Sequence, residues 1–171
     1  MSQSNSARFQ VTLTGDFYYP DGSTRFPDLG LDVLARAGHV EVTRFAENRN
    51  EVGPDQLGPA NGAIVLAPRV SRESLQSLEQ LIAIGRFGVG YDSVDVPACT
   101  DADVVLFITP GAVDRSVAEA TVCWMLALTH QVRAKDLLVR TGRWDERTRY
   151  LGSELRDRTL GIVGFGRIGQ A

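Results

Sequence analysis

The sequence predicts an α/β fold built on a parallel sheet, and three observations favour it. Short apolar runs rich in β-branched residues alternate with segments of helical character, which is the pattern of repeated βαβ units. Glycine and proline residues punctuate the boundaries between these segments. The last apolar run enters a glycine-rich hexapeptide, Gly164 to Gly169, as expected where a strand is followed by a helix.

Five strands are predicted before residue 110, each of them an apolar run bounded by turn residues. They are Phe9 to Thr14, Val40 to Phe45, Gly62 to Leu66, Leu81 to Phe87 and Asp103 to Phe107. Between the strands we expect a helix that ends at Gly38 and only a short helix within Glu47 to Ala60, where glycine and proline are frequent. A further helix is expected to be capped by Ser71 and to carry Leu75 and Leu78 on one face.

A change of periodicity marks the last third of the chain. From Ser116 to about Arg140, apolar residues recur at three or four positions with no internal glycine or proline, which predicts one long helix. Ser116 and Glu119 match the reciprocal capping-box pattern at its start. The turn Pro110 to Arg115 is therefore the expected domain boundary, with domains of residues 1–112 and 113–171.

A last strand, Thr159 to Val163, is predicted to lead into the GxGxxG pattern of Gly164, Gly166 and Gly169. In such a turn the first glycine makes the bend, the second lets backbone approach a pyrophosphate, and the third lets the helix pack closely on the strand. Backbone N–H groups at the helix start favour the anion. The hexapeptide alone also fits a glycine-rich turn without a ligand. The residue that would choose between NAD and NADP, about 20 positions further on, falls beyond Ala171.

The composition is that of an ordinary globular protein, with 43% hydrophobic and 23% charged residues among 171. The formal net charge of −3 offers no broad basic surface, so we expect no nucleic-acid partner. No apolar stretch approaches the roughly 20 residues of a membrane span, and Met1 to Ala7 is polar, so we expect no membrane partner and a cytoplasmic location.

Few residues suggest metal or acid–base chemistry. Cys99 and Cys123 lack metal-ligand spacing, so no metal is expected, and both are interpreted as reduced structural thiols. Cys123 lies within an apolar helical run, where we expect a buried thiol. Single histidines on structural elements, His39 and His130, are interpreted as structural rather than catalytic. The carboxylates of Asp92 and Asp95 are expected to cap a turn and the following helix.

Four motifs occur in a fixed order along the chain. They are Gly88-Val89-Gly90-Tyr91-Asp92-Ser93-Val94-Asp95, Thr109-Pro110-Gly111, Val117-Ala118-Glu119-Ala120-Thr121 and Gly161-Ile162-Val163-Gly164-Phe165-Gly166-Arg167-Ile168-Gly169. Together they resemble the D-isomer-specific 2-hydroxyacid dehydrogenases, a family that includes phosphoglycerate dehydrogenase, glyoxylate and hydroxypyruvate reductases, D-lactate dehydrogenase and formate dehydrogenase. The resemblance spans roughly Ile64 to Ala171.

The resemblance implies a flavodoxin-like substrate domain, formed by both chain ends, with a Rossmann cofactor domain inserted between them. Only the first substrate segment and the first helix and strand of the cofactor domain are then expected here, so the sequence is interpreted as truncated. The implied reaction is hydride transfer between a 2-hydroxy acid or 2-keto acid and NAD or NADP, with NAD favoured. A homodimer formed through the helix of residues 116–140 is also implied for the complete protein.

The resemblance also assigns candidate site residues. The loop of Gly88, Val89 and Gly90 would bind the substrate carboxylate through backbone amides, with Arg69 as a second candidate for that anion and Val89 also facing the nicotinamide. The cofactor candidates share the long helix and the glycine motif; they are Thr121, Gly164, Gly166, Arg167, Ile168 and Gly169. Without the resemblance, Thr121 fits a helix residue hydrogen-bonded to its own preceding turn.

The family's catalytic histidine, arginine and glutamate match no residue from Met1 to Ala171, so the chain alone is expected to be inactive. One alternative is a non-catalytic NAD-sensing, partner-binding protein of the same fold. Another is a stand-alone flavodoxin-like signalling module in which Asp16 accepts a phosphoryl group. The signalling module leaves the long helix and the Gly164 motif unexplained.

Because the strand Thr159 to Val163 lacks partner strands in this sequence, we expect aggregation or disorder after about Gly142. Limited proteolysis of the 171-residue chain measures this directly, since accessible and unpaired backbone is cleaved first. The expected result is early cleavage after Gly142 with a resistant N-terminal product. Uniform resistance through Ala171 would contradict the expectation.

Overall fold

The computed structural model describes residues 8–171. The chain divides into two units, of which the first ends at Ala112 and the second begins at Val113. None of the helices in the described range combines the length and the apolar character that a membrane crossing requires.

A five-stranded parallel sheet with the order β2-β1-β3-β4-β5 forms the first unit. Its strands are β1 (Phe9–Leu13), β2 (Val40–Arg44), β3 (Gly62–Val65), β4 (Ala83–Arg86) and β5 (Val105–Phe107). The predicted α/β fold with a parallel sheet is confirmed, and this strand order is the flavodoxin-like one. Parallel pairing brings the carboxyl ends of all five strands to one edge of the sheet.

Helices and short turns connect these strands. They are α1 (Leu31–Ala35), α2 (Pro54–Leu57) and α3 (Val96–Asp101), with 3-10 turns at Gly15–Phe17 and Glu73–Leu75. The middle strands are the most deeply buried, because a parallel sheet is covered on both faces: Val65 and Ile84 have no exposed surface. The core cluster extends from them to residues of the connections, among them Leu57, Val70 and Leu75.

The helix predicted after Ser71 is wrong. The segment forms only the 3-10 turn Glu73–Leu75, and the side chain of Ser71 does not cap it but donates a hydrogen bond to Glu51. Ser77 then adopts a left-handed φ of 59°, which ends any helical continuation toward Leu78. The hydroxyl that suggested a helix cap instead joins the Glu51 segment to this connection.

The second unit contains α4 (Asp114–Thr129), α5 (Val132–Arg140), a 3-10 segment (Trp144–Tyr150) and α6 (Arg167–Gln170). The prediction of one unbroken helix from Ser116 to Arg140 is therefore wrong. Gln131 has a left-handed φ of 52° between α4 and α5. The Thr129 carbonyl accepts a hydrogen bond from Ser153 N–H at 2.9 Å, and the Gln131 side-chain amide donates to Leu151 O at 2.9 Å. Segment 151–153 thus takes up the Thr129 carbonyl, which a continuous helix would pair with the N–H of Arg133.

Three further predictions for the second unit are wrong. Helix α4 begins at Asp114 with Val113 as its N-cap and no side-chain cap, so Ser116 lies inside the first turn. Thr159 to Val163 forms no strand, because the described residues supply no strand to pair with it. Cys123 is exposed on α4, whereas Cys99 of α3 is the buried thiol, and burial followed by the charge of Asp95 raises its pKa.

The predicted cap of the helix after the Gly88 motif is confirmed, because the Asp95 carboxylate accepts a hydrogen bond from Ala98 N–H at 2.9 Å. Replacing Asp95 with alanine should lower the free energy of unfolding by about 1 kcal/mol, since one N–H at the start of α3 loses its acceptor. Urea unfolding of the two proteins measures the difference. Asp92→Ala is the matched control, because Asp92 lies in the same turn and makes no such bond; an equal loss in both variants would contradict the cap assignment.

Candidate functional site

The carboxyl edge of the central strands is held by a few long-range hydrogen bonds. Phe87 N–H donates to Val65 O at 2.8 Å, which fixes the segment after β4 against the end of β3. Thr109 N–H donates to Gly88 O at 3.0 Å, which brings the turn after β5 to the same place. The ends of β3, β4 and β5 therefore meet around the predicted loop Gly88 to Gly90, where open α/β sheets bind ligands.

The loop Gly88 to Gly90 presents unused backbone donors. Gly88 has a φ of 144°, a conformation that side chains with a Cβ rarely adopt. Among the described residues, the N–H groups of Val89 and Gly90 donate to no protein acceptor. Val89 is half-buried and Gly90 is exposed. Two adjacent free N–H groups can together donate hydrogen bonds to one oxygen anion.

Arg69 lies beyond the end of β3, in an isolated parallel bridge with Glu51. Its backbone is fixed, because its N–H donates to Asn50 O at 2.9 Å and its carbonyl accepts from Val52 N–H at 2.9 Å. The residue is exposed, and its guanidinium makes no ion pair with any carboxylate of the described chain. An exposed and unpaired guanidinium on a fixed backbone suits a carboxylate ligand, and it equally suits solvent.

Arg86, the last residue of β4, was missed by the sequence analysis. Its guanidinium lies against Gly88 and donates to Phe87 O, while its Nε is buried and has no partner among the described residues. A buried N–H without an acceptor is costly, which makes Arg86 a candidate for contact with an anion at the neighbouring loop. The sequence signal that could have identified Arg86 is its position at the end of a predicted strand, two residues before the Gly88 motif.

Asp16 lies beyond the end of β1, at the same edge of the sheet. One carboxylate oxygen accepts from Ala67 N–H at 2.9 Å, and the other is buried without a partner in the described chain. The residue therefore anchors the segment after β3. No cluster of three or more histidine, cysteine, aspartate or glutamate residues in the described range could hold a metal ion around it or elsewhere.

The glycine motif of the second unit fits the backbone geometry that a dinucleotide turn requires. Gly164 has a left-handed φ of 87°. A Cβ at Gly166 would meet no atom within 4 Å, so its backbone is open to close approach. A Cβ at Gly169 would lie 2.5 Å from Gly164 O, so only glycine lets α6 pack this closely on the turn. The three positions have the geometry described for a turn, an open approach and a close contact.

Four predicted cofactor residues line one cavity of about 470 Å³ within the second unit. They are Thr121, Gly164, Ile168 and Gly169. The hydroxyl of Thr121 donates to Val117 O at 2.8 Å, which is the alternative reading of this residue as a helix threonine bonded to its own turn. Arg167 forms a salt bridge with Asp114, with its Nε 2.7 Å from Asp114 Oδ2. Its two terminal nitrogens make no such bond in the described chain.

Neither histidine lies in these surroundings. His39 precedes β2 at the amino edge of the sheet, and its Nδ1 lies 2.5 Å from Ala37 O. His130 is the exposed C-cap of α4. Next to it in the chain, Thr129 O accepts from Ser153 N–H, and the Gln131 side chain donates to Leu151 O. The Asp95 carboxylate forms the helix cap described above. The Asp92 carboxylate accepts no hydrogen bond within the described chain, so the prediction that it caps a turn is wrong. The described residues hold a place for an anion and a place for a dinucleotide turn, and no histidine paired with a carboxylate.

The family model described as D-isomer specific 2-hydroxyacid dehydrogenase, catalytic domain, matches residues 24–158. The chain belongs to this family. Membership confirms the resemblance seen in the four ordered motifs. The match covers both units, from the loop after β1 to the segment before Thr159.

Curated relatives and a solved structure agree with this assignment. The chain is 35% identical to D-3-phosphoglycerate dehydrogenase of Methanocaldococcus jannaschii, over 82% of this chain and 26% of that protein. It is 36% identical to glyoxylate reductase of Thermofilum pendens, over 85% of this chain and 44% of that protein. An NADPH-dependent glyoxylate/hydroxypyruvate reductase of Sinorhizobium meliloti superposes with a TM-score of 0.70 at 25% identity, over 96% of this chain and 48% of that one. The chain thus spans less than half the length of these relatives.

The left-handed φ of Gly88 and the guanidinium beside it make this position intolerant of a side chain. Gly88→Ala should lower the free energy of unfolding by about 1–3 kcal/mol, since the backbone must adopt a strained conformation and Arg86 must move. Gly90→Ala is the matched control in the same loop, because the nearest atom to its Cβ would be 3.7 Å away, on Asp92. Urea unfolding compares the two, and the reverse order of stabilities would show that the loop conformation is wrong.

Proposed function

We propose that the protein to which this chain belongs transfers a hydride between a nicotinamide cofactor and a D-2-hydroxy acid or the corresponding 2-keto acid. The observation that carries the proposal is the loop Gly88 to Gly90, whose two free N–H groups lie at the carboxyl edge of the sheet. Members of this family are named for 2-hydroxyacid chemistry, and such substrates carry the carboxylate that these donors fit.

The substrate carboxylate is held, in this proposal, by the amides of Val89 and Gly90 and by a guanidinium. Arg69 is the predicted guanidinium, and Arg86 is the one whose buried Nε lacks a partner in the described chain. Binding the carboxylate on two sides fixes the orientation of C2, so that its hydrogen and its hydroxyl point in defined directions. This chain's own residues therefore bind and orient the substrate.

The cofactor is NAD or NADP, with NAD favoured, held by its pyrophosphate at Gly164, Gly166 and Gly169. The positive φ of Gly164 and the open space at Gly166 support this role, as does the NADPH dependence of the Sinorhizobium meliloti reductase. Arg167 and Ile168 would flank the phosphates, and Thr121 and Val89 would lie toward the nicotinamide. When bound, the nicotinamide supplies the acceptor for the hydride that leaves C2.

The proton of the substrate hydroxyl must pass to a base as the hydride leaves C2, which yields the 2-keto acid. Among the described residues neither histidine is paired with a carboxylate. We propose that the rest of the protein supplies the base, together with the arginine and the glutamate that the family resemblance implies. We further propose a cytoplasmic homodimer that pairs through residues 116–140, because α4 exposes Trp124 and Leu128 there. The 171-residue chain alone would then bind without turnover.

The test measures the reduction of a panel of small 2-keto acids by the complete protein. The reaction is monitored as the loss of absorbance of the reduced nicotinamide. We expect activity, and we expect Arg69→Gln to raise the KM for the keto acid about tenfold or more with little change in the KM for the cofactor, since a charge-assisted bond is lost. Gly166→Val should raise the KM for the cofactor with little change in the KM for the keto acid, because its side chain would fill the approach to the pyrophosphate.

Arg36→Gln is the matched control, because Arg36 is an exposed arginine paired with Asp32 on α1. It should leave both KM values unchanged. Cofactor binding without turnover of any keto acid would favour the non-catalytic NAD-sensing protein instead. Absence of both would remove the proposal.

A further inference from the structure

A polar pocket of the first unit lies at the carboxyl ends of β1 and β2, at the outer corner of the sheet. It has a volume of about 340 Å³, within the range of small-molecule sites. The residues that matter to its chemistry are Gly15, Tyr18, Tyr19, Arg25, Arg44 and Asn48. None of the residues that line it carries a carboxylate. The pocket uses different strand ends from the loop Gly88 to Gly90.

The loop that forms one wall of this pocket is fixed by its own hydrogen bonds. Tyr19 N–H donates to Ser23 O at 2.8 Å, and Arg25 N–H donates to Phe17 O at 2.9 Å. Asp21 accepts from both the N–H and the hydroxyl of Ser23, at 2.9 and 2.6 Å, and these bonds lower the pKa of Asp21. The wall therefore requires little ordering when a ligand binds.

Two arginines enter the pocket from different elements, each stacked on a tyrosine. The Arg25 guanidinium carbon lies 4.7 Å from the ring centre of Tyr19, and that of Arg44 lies 4.8 Å from Tyr18. Arg25 comes from the loop after β1, whereas Arg44 is the last residue of β2. Stacking fixes the plane of each guanidinium and leaves its edge free for hydrogen bonds.

Most donors of these two guanidinium groups are unused. Arg25 donates from Nε to Tyr18 O at 3.1 Å, and Arg44 donates from one terminal nitrogen to Gly22 O at a long 3.4 Å. Within the described chain neither arginine is paired with a carboxylate. The hydroxyl groups of Tyr18 and Tyr19 and the side-chain amide of Asn48 also make no protein hydrogen bond there.

We propose that this pocket binds the dianionic phosphate group of a small metabolite between Arg25 and Arg44. A phosphate monoester carries close to two negative charges and three strong acceptor oxygens, which match two guanidinium edges with hydroxyl and amide donors beside them. A carboxylate brings one negative charge and two acceptor oxygens, so it would balance only half of the positive charge of the two guanidinium groups. Because the whole chain has a net charge of −3, affinity for an anion must come from this local charge.

The test is a titration of the 171-residue chain with inorganic phosphate and with phenyl phosphate at constant ionic strength. Binding is monitored through the chemical shifts of the backbone amides in NMR spectra. We expect saturable shifts at Gly15, Gly22 and Asn48 for both ligands, and at most weak shifts with acetate. Arg25→Gln and Arg44→Gln should each weaken phosphate binding tenfold or more, because each removes one of two charged partners. The phosphate affinities of Arg25→Lys and Arg44→Lys should lie between those of the glutamine variants and the parent chain, because lysine keeps the charge but lacks the planar guanidinium.

Arg36→Gln is the matched control, since it removes one exposed positive charge directly after α1 and should bind phosphate as tightly as the parent chain. Both arginines are exposed, so loss of folding is not expected, and the shift map of the parent chain tests the location without any variant. Shifts centred on Val89 and Gly90, shifts spread over the surface, acetate binding of equal strength, or equal loss in all three glutamine variants would each overturn the proposal.

Discussion

Parallel pairing of short strands around β1 and β3 is the constraint on which the features of the first unit depend. Because every strand runs in the same direction, the chain must return to the opposite edge after each one, and all strand ends collect at one edge. The hydrogen bonds from Phe87 to Val65 and from Thr109 to Gly88 then bring three of those ends together. Of the site residues, Gly88 takes part in this arrangement through its carbonyl, and the rest of it comes from the backbone pairing of β3, β4 and β5.

Much of this fold could be predicted from the sequence, because its determinants are local. Each strand is an apolar run between turn residues, and the order of strands and helices predicts a parallel sheet. The capping role of Asp95 was also predictable, since its partner Ala98 lies three positions away. The features that could not be predicted depend on distant partners: Ser71 is bonded to Glu51, and the break in the long helix at Gln131 depends on Leu151 and Ser153.

The candidate site shows the same division between local and distant signals. Gly164 and Gly169 were identified by the spacing of the glycine motif and Gly88 by the family resemblance, and the backbone has the conformations that such positions require. Arg86 was missed because its environment, a buried Nε beside a glycine, becomes visible only when the strand end is seen in place. The two arginines stacked on tyrosines were missed for a related reason, since residues 25 and 44 are brought together by the pairing of β1 with β2.

The contact of segment 151–153 with the junction of α4 and α5 has a consequence for how this part of the protein can vary in length. Two hydrogen bonds, from Ser153 to Thr129 and from Gln131 to Leu151, close a loop that contains α5 and the 3-10 segment Trp144–Tyr150. The entropy of closing a loop grows only logarithmically with its length, so that doubling it costs about 0.6 kcal/mol. Insertions between Gly142 and Leu151 are therefore inexpensive as long as both bonds are kept, and related proteins can differ in size there without moving either helix.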